Sequence, residues 1–167
     1  LNTSRDGRLT VISGPSGVGK STIVDAILAT TASEFSVSTT TRAPRDGEVD
    51  GVDYFYVDGE TFRAKVGSGE ILEWAEYGGN LYGTLRSSVQ PILQSGRNVL
   101  LDIENEGAKQ IRVAFPGALL IFVAPPDVDA LRARLLGRGD TTKDDIALRL
   151  SRAEQQISEA PDVYDHI

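Results

Sequence analysis

The run Gly14-Pro15-Ser16-Gly17-Val18-Gly19-Lys20-Ser21 constrains this chain more than any other feature. An apolar segment, Leu9-Thr10-Val11-Ile12, leads into it, and a stretch from Ser21 to Ala29 with helical spacing leads out. The run fits the pattern G-x-x-x-x-G-K-[ST], set between a strand and a helix. Glycines there let backbone N–H groups turn inward around phosphate oxygens, and the positive end of the following helix points at the same place. Lys20 then reaches the β- and γ-phosphates, and the Ser21 hydroxyl is placed to ligate Mg²⁺. GTPases, ATP-driven motors and small-molecule kinases all share this cradle, so the rest of the chain must choose among them.

The remaining pattern alternates strands and helices. Phe35–Thr40 and Asn98–Ile103 read as strands, and Ala118–Ala124 as a buried strand that stops at Pro125-Pro126. In the first helix Ile23, Ile27 and Leu28 fall on the apolar side. A second helical pattern runs through Leu85, Val89, Ile92 and Leu93, with Pro91 kinking it or lying near its start. Asp127 can cap a helix carrying Leu131 and Leu135. Thr142 and Asp145 resemble a capping box opening a last helix through Ile146, Leu150, Ala153 and Ile157. Such alternation predicts a parallel sheet flanked by helices, with its ligand outside the carboxyl ends of the strands. Thr41–Gly83 differs: it is rich in turn residues and aromatics, with strand-like Val52–Val57 and Glu70–Tyr77 around a short helix near Phe62 and Val66. It reads as an insertion with its own antiparallel strands.

Composition narrows the chemistry. The chain has 167 residues, a net charge of -7, no cysteine and a single histidine, His166. Thiolate metal sites, disulfides, a cysteine nucleophile and a histidine-pair metal site are therefore excluded. The acidic balance argues against broad nucleic-acid or anionic-membrane binding. No apolar run approaches the roughly 18 residues of a membrane span, and no signal-peptide pattern is visible, so the expected location is the cytoplasm.

The positive charges that remain fall in telling places. Bringing two phosphorylated nucleotides end to end opposes anions, and two unit charges about 4 Å apart repel by about 4 kcal/mol at an effective dielectric near 20. A phosphate acceptor is already anionic, so no general base is required; the chemistry asks for arginines, a metal and exclusion of water. Arg42 and Arg45 lie in the inserted segment, Arg134 and Arg138 flank the loop at Gly137 and Gly139, and Arg149 follows one helix later. Arg132 and Arg152 read as solvated surface residues, and Trp74 as core or interface packing.

With these residues in place the sequence resembles guanylate kinase, the ATP:GMP phosphotransferase family, from about Arg8 to the end. Gly14–Thr22 resembles its phosphate loop. Ser38-Thr39-Thr40-Thr41-Arg42-Ala43-Pro44-Arg45-Asp46-Gly47-Glu48, continuing to Gly51-Val52-Asp53-Tyr54, resembles its GMP-binding signature, a longer and more specific motif. Glu73-Trp74-Ala75, Asn80–Thr84, Leu101-Asp102-Ile103 and Leu135–Gly139 follow in the family's order.

The resemblance implies a P-loop nucleoside-monophosphate-kinase fold of the α/β class. It implies a core of residues 1–40 and 86–167, an inserted GMP-binding domain at 41–85 and a short lid at 137–144. It implies phosphoryl transfer from ATP–Mg²⁺ to GMP, with dGMP as a further acceptor. Gly14, Pro15, Ser16, Gly17, Val18, Gly19, Lys20, Ser21 and Thr22 would bind ATP. Arg42, Arg45, Tyr54 and Tyr82 would hold the GMP phosphate, and Ser38, Glu73 and Thr84 would read the guanine. Asp102 would act near the ribose or, with Ser21, at Mg²⁺, directly or through water; Glu104 would lie near the guanine edge. Lys20, Arg134, Arg138 and Arg149 would serve the transferring group. ATP and GMP are the implied partners.

A carboxylate at Glu73 makes chemical sense, because guanine presents N1–H and N2–H₂ as adjacent donors and adenine does not. Two departures stand out: Glu104 replaces the family's usual aspartate, and Glu106 a common glutamine. The chain stops at Tyr164-Asp165-His166-Ile167, which resembles the start of the family's final core strand. A second reading stays open here, a guanylate-kinase-like module that binds proteins and catalyses weakly; the intact Lys20, Ser21 and Arg138 weigh against it. A GTPase is disfavoured, since no Asn-Lys-x-Asp guanine motif occurs.

Overall fold

The computed structural model describes residues 6–137 and 143–167. Its organising element is β1 (Leu9–Ser13), whose Val11 and Ile12 are fully buried. β7 (Asn98–Asp102) and β8 (Leu119–Phe122) flank it, and β2 (Ser33–Phe35) pairs with β7, all parallel, in the order β2-β7-β1-β8. Near-continuous apolar runs such as Val99-Leu100-Leu101 suit a sheet covered on both faces. α3 (Arg86–Gln94), α4 (Asn105–Ala114) and α6 (Lys143–Val163) send Val89, Leu93, Ala108, Ile111 and Ala160 into the main cluster around Val11, Leu101 and Phe122. α1 (Lys20–Thr30) joins a smaller cluster with Ile12 and Leu100. α5 (Val128–Leu136) meets α6 through Leu131, Leu135, Ile146 and Leu150.

The parallel register aligns Ile12 with Asp102, so the glycine loop, Asp102 and the start of α4 emerge at one edge of the sheet. A second sheet faces that edge. It is formed by β3 (Thr39–Thr40), β4 (Phe55–Tyr56), β5 (Ile71–Tyr77) and β6 (Asn80–Leu85), in the order β4-β3-β6-β5. α2 (Gly59–Gly67) lies between β4 and β5, capped by Asp58, whose carboxylate accepts from the Thr61 N–H at 2.7 Å.

The layout follows the expected class, with local differences. Phe35–Thr40 is not one strand: β2 ends at Phe35 in the first sheet, Ser36–Ser38 cross over, and β3 begins the second. Val52 is 67% exposed in a turn, so the expected strand Val52–Val57 shrinks to β4, which runs parallel to β3. On α1 the buried residue is Val24, while Ile23 points outward at 37% exposure; the apolar stripe is Val24, Ile27 and Leu28, at i, i+3 and i+4. Pro91 sits inside α3 rather than in its first turn. Thr142, the proposed cap of the last helix, lies outside the described residues. Asp127 caps α5 as expected, accepting from the Ala130 N–H at 2.6 Å. His166 forms a parallel bridge with Ile121, and the Phe122 N–H donates to its carbonyl at 2.8 Å, so the chain end lies beside β8. Among the described residues no helix is long and apolar enough to cross a membrane.

Candidate active site

The glycine loop leaves β1 at Ser13 and enters α1 at Lys20. Gly14 has φ 144, and a Cβ there would lie 2.3 Å from the Val123 carbonyl oxygen, so no other residue lets the loop pass this close to the neighbouring strand. Lys20 folds toward the loop, its Nζ donating to the carbonyls of Gly14 at 2.7 Å and Pro15 at 3.4 Å. Val18 is buried, Pro15 is covered, and Ser21 and Thr22 stand exposed on the first turn of α1. Burial raises the pKa of Asp102, and the nearby Lys20 charge opposes that rise. Both groups line the cavity that opens at the mouth of the loop.

A cavity of about 610 Å³ opens from there. Its walls include Ser16, Gly17, Gly19, Lys20 and Ser21 from the loop, and Asp102, Ile103 and Glu104 from the end of β7. Ser38, Arg45, Tyr54, Glu73, Tyr82 and Gly83 come from the crossover and the second sheet. Residues dispersed over the chain thus line one space.

Glu73 is the most unusual of them. It is 3% exposed, and no cation is paired with it among the described residues. β5 and β6 pair Glu73 with Thr84, whose hydroxyl donates to Oε1 at 2.6 Å. Burial pushes the Glu73 carboxyl up to about 7, against the pull of the Thr84 hydrogen bond. Thr84 is fully buried behind it. Trp74, expected in packing, is instead 39% exposed, because alternation along β5 turns it away from the face that buries Glu73. Its backbone is held by Gln110: its N–H donates to Gln110 Oε1 at 3.1 Å, and Gln110 Nε2 donates to its carbonyl at 2.7 Å.

The arginines divide. Arg45 lines the cavity. Arg42 stands behind Tyr54, with its guanidinium 5.3 Å from the ring centroid and its Nη2 donating to Glu48 Oε1 at 2.8 Å. Tyr54 and Tyr82 meet edge to face with centroids 6.0 Å apart. Glu48 also accepts from the Arg45 N–H and the Tyr56 hydroxyl, both at 2.8 Å. The Arg42 hydrogen bond is the main reason its carboxyl falls to about 2. The sequence pattern alone assigns Glu48 no role, although a carboxylate three residues after Arg45 in a turn-rich segment is the available signal.

Arg134, in the last turn of α5, donates from Nη1 to the Val18 carbonyl at 2.6 Å and so braces the phosphate loop. Arg149, half-buried on α6, lines a side cleft of about 250 Å³ with Ser16, Tyr77 and Glu104. Arg152, read as a plain surface residue, stacks over the Tyr77 ring at 5.7 Å and shares that cleft. Arg138 and most of the 137–144 segment lie outside the described residues.

A family model described as guanylate kinase matches residues 6–167, nearly the whole chain. The chain belongs to the guanylate kinase family. A guanylate kinase of Parasynechococcus marenigrum is 53% identical over 91% of this chain and 84% of its own length. One from Bacillus subtilis is 47% identical over 96% and 79% respectively. A crystal structure of guanylate kinase from Anaplasma phagocytophilum superposes with a TM-score of 0.76 at 34% identity, covering 97% of this chain and 76% of that one. Family membership makes the chain a nucleoside monophosphate kinase and disfavours the reading as a weakly catalytic interaction module.

Proposed function

We propose that this kinase phosphorylates GMP by holding its guanine against Glu73 and its phosphate against the Arg45, Tyr54 and Tyr82 wall, with ATP on the Gly14–Thr22 loop. One observation carries this reading: Glu73, a carboxylate with no paired cation among the described residues, lines the same cavity as Lys20 and Ser21. Adenine would leave that carboxylate facing no pair of donors, and sites built to bond a particular group reject analogues lacking it by on the order of 10⁴. Ser38 and Thr84 complete the base site, and Glu104 lies beside it. Arg42 supports the phosphate wall through Tyr54 and the Glu48 knot.

Ser21 offers a hydroxyl and Asp102 a carboxylate, hard oxygen donors that suit Mg²⁺. These two would hold the ion, Asp102 directly or through water. When bound, Mg²⁺ neutralises charge on the β- and γ-phosphates. Lys20 exchanges its loop carbonyls for phosphate oxygens, and Arg134 keeps the loop from spreading. Arg149 reaches the cleft beside Ser16 from the α6 side, where it can meet charge on the transferring group; Arg138 serves the same purpose from the lid at 137–144. Residues 41–85 act as the GMP-binding unit and 1–40 with 86–167 as the phosphate-loop core.

A coupled ADP-release assay with ATP and Mg²⁺, offering GMP, dGMP, AMP, CMP and UMP in turn, tests this. Turnover is expected with GMP and dGMP. Comparable turnover with AMP would remove Glu73 from the base site.

A further inference from the structure

Glu73 is confined from two sides. On one, β6 supplies the Thr84 hydroxyl. On the other lies the first turn of α4, where Gly107 is buried. A Cβ built on Gly107 would lie 2.1 Å from Glu73 Oε2 and 3.0 Å from its Cδ, with Ile103 Cδ1 next at 3.4 Å. Such a separation is far inside van der Waals contact, so one side must yield. The backbone cannot do so cheaply: β5 is laddered to β6, and Gln110, one turn further along α4, grips both backbone groups of Trp74. What can yield is the carboxylate, and its open side is the cavity.

Backbone conformation does not ask for glycine here. Gly107 has no positive φ, so its backbone is one that any residue adopts, and alanine is the better helix former. We propose that Gly107 is a specificity-determining positioning residue: its missing side chain sets the depth of the Glu73 carboxylate and so matches it to a base with adjacent N–H and NH₂ donors. This rests on the reading of Glu73 as the group that meets guanine.

The test compares Gly107→Ala, Glu73→Asp and the double variant by calorimetric titration with GMP and by steady-state kinetics. For Gly107→Ala the GMP dissociation constant is expected to rise by on the order of 10-fold or more, the worth of a misaligned hydrogen bond to a charged group. The Michaelis constant for ATP and the melting temperature should hold. Glu73→Asp alone should also weaken GMP. In the double variant the shorter side chain retracts from the new methyl group, so GMP should bind more tightly than to Gly107→Ala, a non-additivity that a packing role would not produce. Parental GMP affinity in Gly107→Ala, with Glu73→Asp impaired, overturns the role of Gly107 and leaves that of Glu73 standing. Unchanged affinity in Glu73→Asp overturns both, and additive losses in the double variant overturn the coupling. Should Gly107→Ala fail to fold, Glu73→Ala in that background decides: recovery of the melting transition supports the clash, and no recovery overturns it.

Discussion

Glu73 pits function against stability within one side chain. Its carboxyl titrates near 4.5 as a free group and at about 7 in the folded chain, because burial disfavours the charge. Folding therefore favours the protonated form; that contribution is full below about 4.5 and is lost as pH rises through 7. Glu73→Gln removes the burden, so its melting temperature should exceed the parent's at pH 8 and converge with it toward pH 4. A shift of this size corresponds to on the order of 3 kcal/mol. The same variant should raise the Michaelis constant for GMP and narrow the preference for GMP over AMP. Since guanine needs the ionised acid, GMP affinity of the parent should fall by about tenfold per unit as pH drops below 7, with a proton released on binding, measurable by titration in buffers of different ionisation enthalpy. Lys20 answers to a simpler test. Lys20→Ala should cost turnover on the order of 10²-fold or more while GMP still binds, the loss typical of removing one preorganised donor from a charged transition state.

Among the elements, the Arg42–Glu48 turn carries the most organisation per residue. One carboxylate ties a guanidinium, a backbone N–H and a tyrosine hydroxyl, and so stiffens the segment before β4 that presents Arg45 and Tyr54. Glu48→Gln keeps the shape and drops the charge; the expected result is a higher Michaelis constant for GMP with that for ATP unchanged, and equal effects on both would make Glu48 a fold residue only. Reading the sequence found this segment by its arginines and tyrosines, because those side chains announce anion chemistry. Glu48 and Gln110 stayed hidden, since each works through partners whose proximity only the folded chain creates. Strand limits failed for a related reason. Ser36-Val37-Ser38 has no glycine or proline to mark the passage from one sheet to the other, and Val52 is apolar yet solvent-facing. The phosphate loop, by contrast, was legible outright, because its backbone geometry demands glycine at fixed places, as Gly14 against Val123 illustrates.

For the whole molecule, the main point is that the cavity draws its walls from both sheets. A nucleotide seated there bridges them, so ligand binding and global stability are linked; saturation at a hundred times the dissociation constant adds about 2.7 kcal/mol. GMP should therefore raise the melting temperature of the parent, and Glu73→Gln should lose most of that increment while keeping the increment from an unreactive ATP analogue. The paired acceptor and donor of Gln110 have a different consequence. β5 is the outermost strand of its sheet, and an outermost strand with free N–H and C=O groups invites another chain to add itself. At Trp74, beside an exposed indole, those groups are already taken by an amide from α4. A glutamine there takes the two backbone groups that a neighbouring strand would otherwise pair with.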